Sequence, residues 1–166
     1  MRARPATVPG PTLLPGQAAA PEGPVDLLVT YAVNHGLRRD ASRFVEAVRA
    51  VTATDRAGWQ QLADRWETFA SILRIQSRGQ DVGLWPALRG RCADEEKGIL
   101  DAMEAEHAAL EAQVRLCSTL LARLAQTGDE DARAALVVRL VACSGALERH
   151  LQRTSTPIEP PSKEPT

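Results

Sequence analysis

The three histidines are the residues of this chain whose type and placement could do chemistry. His35, His107 and His150 each fall on a different predicted helix, and the last two lie in the middle of apolar stripes. Neutral imidazole is the commonest metal ligand, and helical bundles build metal sites from inward-facing side chains on facing helices. A single such histidine is more often a packed core residue, but three on three helices favour a shared site. We therefore predict that His107 and His150 share one interior environment, with His35 the next candidate.

Two glutamines lie at positions that the helical spacing of apolar residues predicts to be buried. Gln76 and Gln80 lie four residues apart, on the helical stripe that also carries Phe69 and Leu73. A buried amide without a partner costs about 1–3 kcal/mol, so both side chains need hydrogen bonds or a ligand.

Four long amphipathic patterns position these residues. They run from about Val25 to Val51, from Asp55 to Gly83 and Pro86, from about Ala93 to the segment QTGDED, and from about Asp129 to Pro157. Asp55 is the expected N-cap of the second helix, and Gly83 and Pro86 are expected to end or kink it. The third predicted stripe comprises Ile99, Met103, His107, Leu110, Val114, Cys117 and Leu121. The fourth comprises Leu136, Leu140, Cys143, Leu147, His150, Leu151 and Thr154. Helices of this length joined by short connections predict an all-α, antiparallel, up-down-up-down four-helix bundle.

The composition argues against nucleic-acid and membrane partners. The chain has 166 residues, 44% hydrophobic and 25% charged, with a formal net charge of -1. Its arginines are dispersed among acidic residues, so no basic stripe indicates a nucleic-acid partner. No apolar run approaches the roughly 18 residues of a membrane span, and prolines interrupt the first segment, so neither a membrane partner nor a signal peptide is expected. Three cysteines without paired spacing indicate reduced thiols and a cytoplasmic protein.

The domain organisation follows from proline content. Residues 1–24 and 156–166 are rich in proline and poor in large apolar residues, which predicts two disordered tails. Residues 25–155 between them form the predicted bundle.

Four segments of the core carry a family resemblance. They are NHGLRRDASRF, LRIQSRGQDVGLWPAL, MEAEHAAL and LERHLQRT, one on each predicted helix. Together they resemble the hemerythrin-like proteins with an HHE cation-binding domain, over about Val25 to Thr154. The resemblance implies a bundle that holds an oxo-bridged pair of non-haem irons, with imidazoles as terminal ligands and two carboxylates as bridges.

The resemblance is incomplete at the ligand positions. His35, His107 and His150 match histidines of the family pattern, whereas Gln76 stands at a histidine position. Gln80 and Thr154 stand where the family has its bridging glutamates. Because a neutral amide is a weak ligand that suits hard cations, we do not expect a di-iron centre. The carboxylates that could compensate are Glu104, Glu111 and Glu148.

Two functions stay open at this level. In the first, some of the three histidines hold one iron or another divalent metal such as zinc or copper, or an imidazole ligates non-covalent haem, and the site senses or processes O2, NO or peroxide. In the second, Gln76 and Gln80 hydrogen-bond the histidines, and the metal-free bundle is a binding, regulatory or repurposed catalytic scaffold. In both, the expected partner is a small molecule or metal ion in the bundle interior, and neither catalysis nor a protein partner is specified.

Overall fold

Five α-helices and one π-helical turn make up the residues that the structure describes. The structure, a computed structural model, describes residues 28–155, the side chains of Leu28, Thr154 and Ser155 excepted. The helices are α1 (Leu28–Ala50), α2 (Arg56–Gly79), α3 (Trp85–Arg89), α4 (Asp94–Thr127) and α5 (Glu130–Ser155), and the π-helical turn is Gln80–Leu84. None of the described residues forms a strand, and no helix among them is both long and apolar enough to cross a membrane.

The helix ends follow from capping chemistry. The Asp55 carboxylate accepts a hydrogen bond from Gly58 N at 2.9 Å, as predicted for the N-cap of α2. At the start of α4, the Glu96 carboxylate accepts from Ala93 N at 2.8 Å. Gly128 ends α4 with a φ of 66°, the left-handed conformation that favours glycine. The Asp129 carboxylate then accepts from Asp131 N at 2.9 Å and begins α5.

The sequence predicted that Gly83 and Pro86 end or kink the second helix, and the regular helix is interrupted in this segment. It passes through the π-helical turn, in which Trp85 N donates to Gln80 O, and continues as α3 with Pro86 in its first turn. Proline has no N–H, and in a regular helix its ring clashes with the carbonyl four residues earlier. A wider turn accommodates the ring, which gives a physical reason for the π-helical segment at this place.

Contacts between the helices establish their directions. Along α2, Glu67 contacts Ser118 and Arg74 contacts Glu111, so α2 and α4 run in opposite directions. The helices α4 and α5 also pack along each other. The short connections between the four long helices complete an up-down-up-down order. The predicted all-α four-helix bundle is thereby confirmed.

The chain divides into two compact units, one ending at Gly36 and one beginning at Leu37. In the first unit, residues 28–36 form the initial turns of α1. The predicted tails, 1–24 and 156–166, lie outside the described residues.

Aromatic side chains fill one end of the core of the second unit. Phe44 on α1 packs edge-to-face on Trp66 of α2, with ring centroids 5.0 Å apart, and Phe69 stacks on Trp66 at 5.0 Å. Trp66 is buried and its Nε1 donates to Val114 O on α4 at 3.3 Å, so the polar atom of the ring is paired. The aromatic residues are therefore core, as their helical spacing indicated.

Near the start of α4, the buried residue differs from the predicted one. Ile99, placed on the inward stripe, is 58% exposed, and Leu100 is 7% exposed in its place. Leu100 packs with Trp85 and Met103. The helix α3 lies against this end of α4. It buries Leu100, which packs with Trp85, rather than Ile99, which continues the predicted stripe.

Replacing Gly128 with alanine is expected to destabilise the fold by about 2 kcal/mol, because the left-handed conformation is strained for alanine. The added Cβ would also lie 2.9 Å from the Ala53 carbonyl oxygen. The matched control is Gly98→Ala, whose Cβ would meet nothing within 4 Å inside α4. That variant should be neutral or more stable by about 0.5–1 kcal/mol. Urea unfolding of both variants measures the difference, and equal stabilities would contradict the placement of Gly128.

Candidate functional site

Two imidazoles face each other in the interior of the second unit. His107 of α4 and His150 of α5 are 5% and 3% exposed. Their Nε2 atoms are 3.0 Å apart, and the rings meet edge to face with centroids 4.6 Å apart. The predicted proximity of His107 and His150 is confirmed.

A carboxylate holds the other nitrogen of each ring. Asp81 Oδ1 lies 2.6 Å from His107 Nδ1, and Glu106 Oε2 lies 3.0 Å from His150 Nδ1. The second oxygen of Glu106 pairs with the Arg153 guanidinium at 2.5 Å. The five side chains thus form one continuous chain of hydrogen bonds and ion pairs, in the order Asp81, His107, His150, Glu106 and Arg153.

In this series of hydrogen bonds, no proton lies between the two facing Nε2 atoms. A carboxylate only accepts hydrogen bonds, so the Nδ1 atoms of His107 and His150 carry the protons that Asp81 and Glu106 accept. A neutral imidazole has one N–H, so both Nε2 atoms then present lone pairs to each other. Two lone pairs at 3.0 Å repel, and a positive charge shared by the two nitrogens removes the repulsion.

Burial sets the protonation of one member of the pair. Desolvation lowers the pKa of His150, against the opposing effect of its hydrogen bond to Glu106. His150 is therefore held as a neutral imidazole at neutral pH, the form in which the ring nitrogen binds a metal.

Two further polar atoms are buried without partners close to Asp81 and His107. The Trp85 ring lies nearly parallel to that of His107, with centroids 6.4 Å apart. Its Nε1 has no hydrogen-bond partner among the described residues, and neither has Oε1 of Gln80, which precedes Asp81 in the chain. Such atoms are uncommon in folded proteins and each one calls for an explanation such as a bound water or ion.

Asp81 lies in the π-helical turn, directly after the last regular bond of α2, in which Gln80 N donates to Gln76 O. The wider bonding of the turn follows it, with Trp85 N donating to Gln80 O. The residue of this segment that reaches His107 is Asp81, whereas the sequence placed Gln80 on the inward stripe.

The expected hydrogen bonds from amides to the imidazoles are not formed by Gln80. Its Oε1 has no partner among the described residues, and the ring nitrogens of His107 and His150 pair with carboxylates and with each other. Gln76 is half-buried on α2.

The carboxylates predicted to compensate for the missing glutamates point elsewhere. Glu104 pairs with Arg89 at 2.8 Å, Glu111 with Arg74 at 3.4 Å, and Glu148 with Arg38 at 3.1 Å. All three pairs are partly exposed to solvent. The structure brings Asp81 and Glu106 to the histidines instead.

Asp81 and Glu106 are the site residues that sequence reasoning missed. Asp81 follows Gln80 directly, and Glu106 precedes His107 directly. Adjacent residues of a regular helix do not share a face, so helical periodicity gave no signal for either one. The proline at 86 was the one local sign that the register of the second helix changes.

His35 and Thr154 are the remaining candidate ligands. His35 is half-buried on α1, in the unit that ends at Gly36, and the side chain of Thr154 lies outside the described part of the structure. Within that part, no group of three or more His, Cys, Asp or Glu side chains converges on a point that could hold a metal. The described donors that face one another are the two Nε2 atoms.

Comparison with known proteins agrees with the arrangement of helices and histidines. A family model for the hemerythrin HHE cation binding domain matches residues 31–157, which includes all three histidines, both glutamines and Asp81. No curated protein and no solved structure matches the chain. Since the family model covers most of its length, the chain belongs to the hemerythrin HHE cation-binding domain family.

Proposed function

We propose that this protein binds a single divalent metal cation through Nε2 of His107 and Nε2 of His150. The observation that carries the proposal is the 3.0 Å contact between two ring nitrogens whose Nδ1 atoms both face carboxylates. Metal-binding histidines commonly donate their other N–H to a carboxylate, which fixes the tautomer and makes the ligating nitrogen more basic. Asp81 and Glu106 have this role in the proposal. The family's description as a cation-binding domain supports it.

The distance between the two nitrogens fits one ion. Nitrogen ligands lie about 2.1 Å from a transition metal, and two of them in neighbouring octahedral positions are then about 3.0 Å apart. Imidazole suits zinc, copper, iron and nickel, so the class of metal is a borderline transition ion rather than calcium or magnesium.

The same residues do not fit the family's di-iron centre. That centre needs two anionic bridges, and the carboxylates nearest the histidines lie on the Nδ1 sides of the rings, away from the facing nitrogens. Gln80 and Thr154 occupy the bridging positions, and neither side chain carries a charge. Two neutral imidazoles also supply too little negative charge for a pair of trivalent ions.

Open coordination positions give the site its proposed activity. A cation with two described protein ligands keeps positions for water or a small molecule. The proposed ligands are O2, NO or peroxide, the small molecules expected from the resemblance. Trp85 Nε1 is a buried donor beside the His107 ring and is available to such a ligand.

In a metal-free protein, a proton shared between the two rings would have to remove the repulsion between their Nε2 atoms. Burial opposes it, because desolvation lowers the pKa of His150. Metal-free protein would gain no stability from added metal. By contrast, a cation at 100 times its dissociation constant stabilises the fold by about 2.7 kcal/mol.

The first prediction from this proposal concerns metal content. Protein purified without chelators and then titrated with Co2+ or Zn2+ should bind one ion per chain, with a rise in melting temperature. His107→Ala and His150→Ala should each abolish binding, whereas Gln126→Ala, on an exposed part of α4, should change nothing. Calorimetric titration gives the stoichiometry. Unchanged binding in both histidine variants would place the cation elsewhere.

The second prediction separates the supporting carboxylates from the ligands. Asp81→Asn keeps the side-chain shape but removes the charge beside His107, so it should weaken metal binding by about 10–100-fold. Asp64→Asn makes the same change of charge on the exposed face of α2, where Asp64 accepts from Gln60, and should bind metal as the parent does. Equal affinities for the two variants would show that Asp81 does not support the site.

The third prediction concerns nuclearity. Protein loaded with Fe2+ and exposed to air should hold at most one iron per chain and should lack the charge-transfer absorption of an oxo-bridged pair, because no carboxylate lies between the facing nitrogens. Iron analysis and an absorption spectrum of the same sample make the measurement. Two irons per chain with those bands would contradict the proposed single-ion site.

A further inference from the structure

One carboxylate beside the histidine pair has a second partner, and the other does not. Glu106 of α4 lies 3.0 Å from Nδ1 of His150 through Oε2, and 2.5 Å from the Arg153 guanidinium through Oε1. Asp81 contacts Nδ1 of His107 through Oδ1, and no arginine of the described residues is paired with it. The proposed cation site uses both carboxylates and gives the arginine no role.

The two partners of Glu106 come from one face of α5. His150 and Arg153 are three residues apart, and side chains at that spacing are neighbours on the surface of a helix. Both therefore reach the same carboxylate of α4, one at each oxygen. Arg153 also lies in the last turn of α5, where the helix dipole favours a positive charge.

Glu106 needs a second contact more than Asp81 does. A glutamate side chain has one more rotatable bond than an aspartate, so it loses more conformational entropy when it is held in one place. The side chain of Glu106 is also 23% exposed, so water competes for its carboxylate. A hydrogen bond at each oxygen holds the carboxylate in one orientation, with Oε2 on the imidazole.

We propose that Arg153 is a positioning residue of this site, which holds Oε2 of Glu106 on Nδ1 of His150. His150 then carries its proton on Nδ1 and presents the lone pair of Nε2 to His107. A neutral imidazole has one N–H, so the nitrogen that donates to the carboxylate determines which nitrogen can bind a cation. The consequence for metal affinity rests on the proposed function, whereas the position of the His150 proton is a property of the metal-free protein.

The charge of Arg153 opposes its positioning effect on a bound cation. A guanidinium repels a cation, so a neutral replacement removes that repulsion. Arg153 is 56% exposed, and salt screens an exposed charge, with a Debye length of about 3 Å at 1 M. The contact with Glu106 at 2.5 Å is shorter than this length, whereas an ion on the histidines lies two side chains further along the series of contacts. Affinities measured in 1 M NaCl therefore report mainly the positioning effect.

The experiment first uses the metal-free protein and its variants Arg153→Gln and Arg153→Lys. In protein labelled with isotopic nitrogen at histidine, NMR locates each imidazole proton and gives its rate of exchange with solvent. We expect the parent to carry the His150 proton on Nδ1. In Arg153→Gln this proton should exchange faster than in the parent, whereas the Nδ1 proton of His107 should not change. Arg153→Lys keeps a donor with a positive charge and should restore the slow exchange.

Metal affinity gives the second measurement. In 1 M NaCl, Arg153→Gln should bind Co2+ about 10-fold more weakly than the parent, the lower end of the range for a partner of a ligating histidine. Glu106→Gln should weaken binding at least as much. Because Arg153 acts through Glu106, the double variant should bind no more weakly than Glu106→Gln alone. The matched control is Arg133→Gln, which removes a guanidinium of α5 that pairs with Glu130 at 2.5 Å and should change neither measurement.

Three results would overturn the positioning role. They are a His150 proton on Nε2 in the parent, equal exchange of the His150 proton in the parent and Arg153→Gln, and a double variant that binds more weakly than Glu106→Gln. Failure of the proposed function gives a different result, because a parent that binds no Co2+ leaves the proton positions and exchange rates as expected here.

Discussion

The contact between Nε2 of His107 and Nε2 of His150 is the constraint on which the chemistry of this protein depends. Two buried imidazoles that present lone pairs to each other are unstable without a positive charge between them. The surrounding groups favour that charge, because Asp81 and Glu106 contribute two negative charges and Arg153 one positive charge. The net charge of these three side chains is -1, which favours a cation, and the proposed divalent ion would take the cluster to +1.

The π-helical turn contains Asp81 and leads directly to Trp85, the first residue of α3. The turn lies where Pro86 prevents a regular helix, and the chain continues through it as α3. Its effect extends to Trp85, which the continued helix brings beside the His107 ring and against Leu100.

The sequence predicted what depends on regular helical periodicity and missed what depends on its interruption. Four amphipathic stripes with short breaks were enough for the all-α bundle, for the cap at Asp55, and for the proximity of His107 and His150. Asp81 was missed because it follows Gln80 directly, off the apolar stripe, in a π-helical turn that no apolar pattern encodes. Glu106 was missed for a different reason: a charged residue beside a stripe normally faces solvent, and this one reaches back to a histidine on α5. Ile99 was predicted to be buried in place of Leu100, because the contact that buries Leu100 comes from α3, which covers only the first turns of α4.

Gln76 and Gln80 have the spacing of a ligand pair but not the side-chain chemistry of one. By the sequence resemblance, Gln76 and Gln80 stand at the four-residue interval of the family's ligand pair, and neither carries a charge. The acid that contacts His107 is Asp81, which follows Gln80 directly. An acid on the Nδ1 side orients a ligand and strengthens it, whereas an acid between two ions would bridge them. Within our proposal, an acid on the Nδ1 side suits a single ion of lower charge rather than two highly charged ions. Among the described residues, the donors that face each other are imidazole nitrogens, and such ligands suit the borderline divalent metal that we propose better than a soft monovalent one.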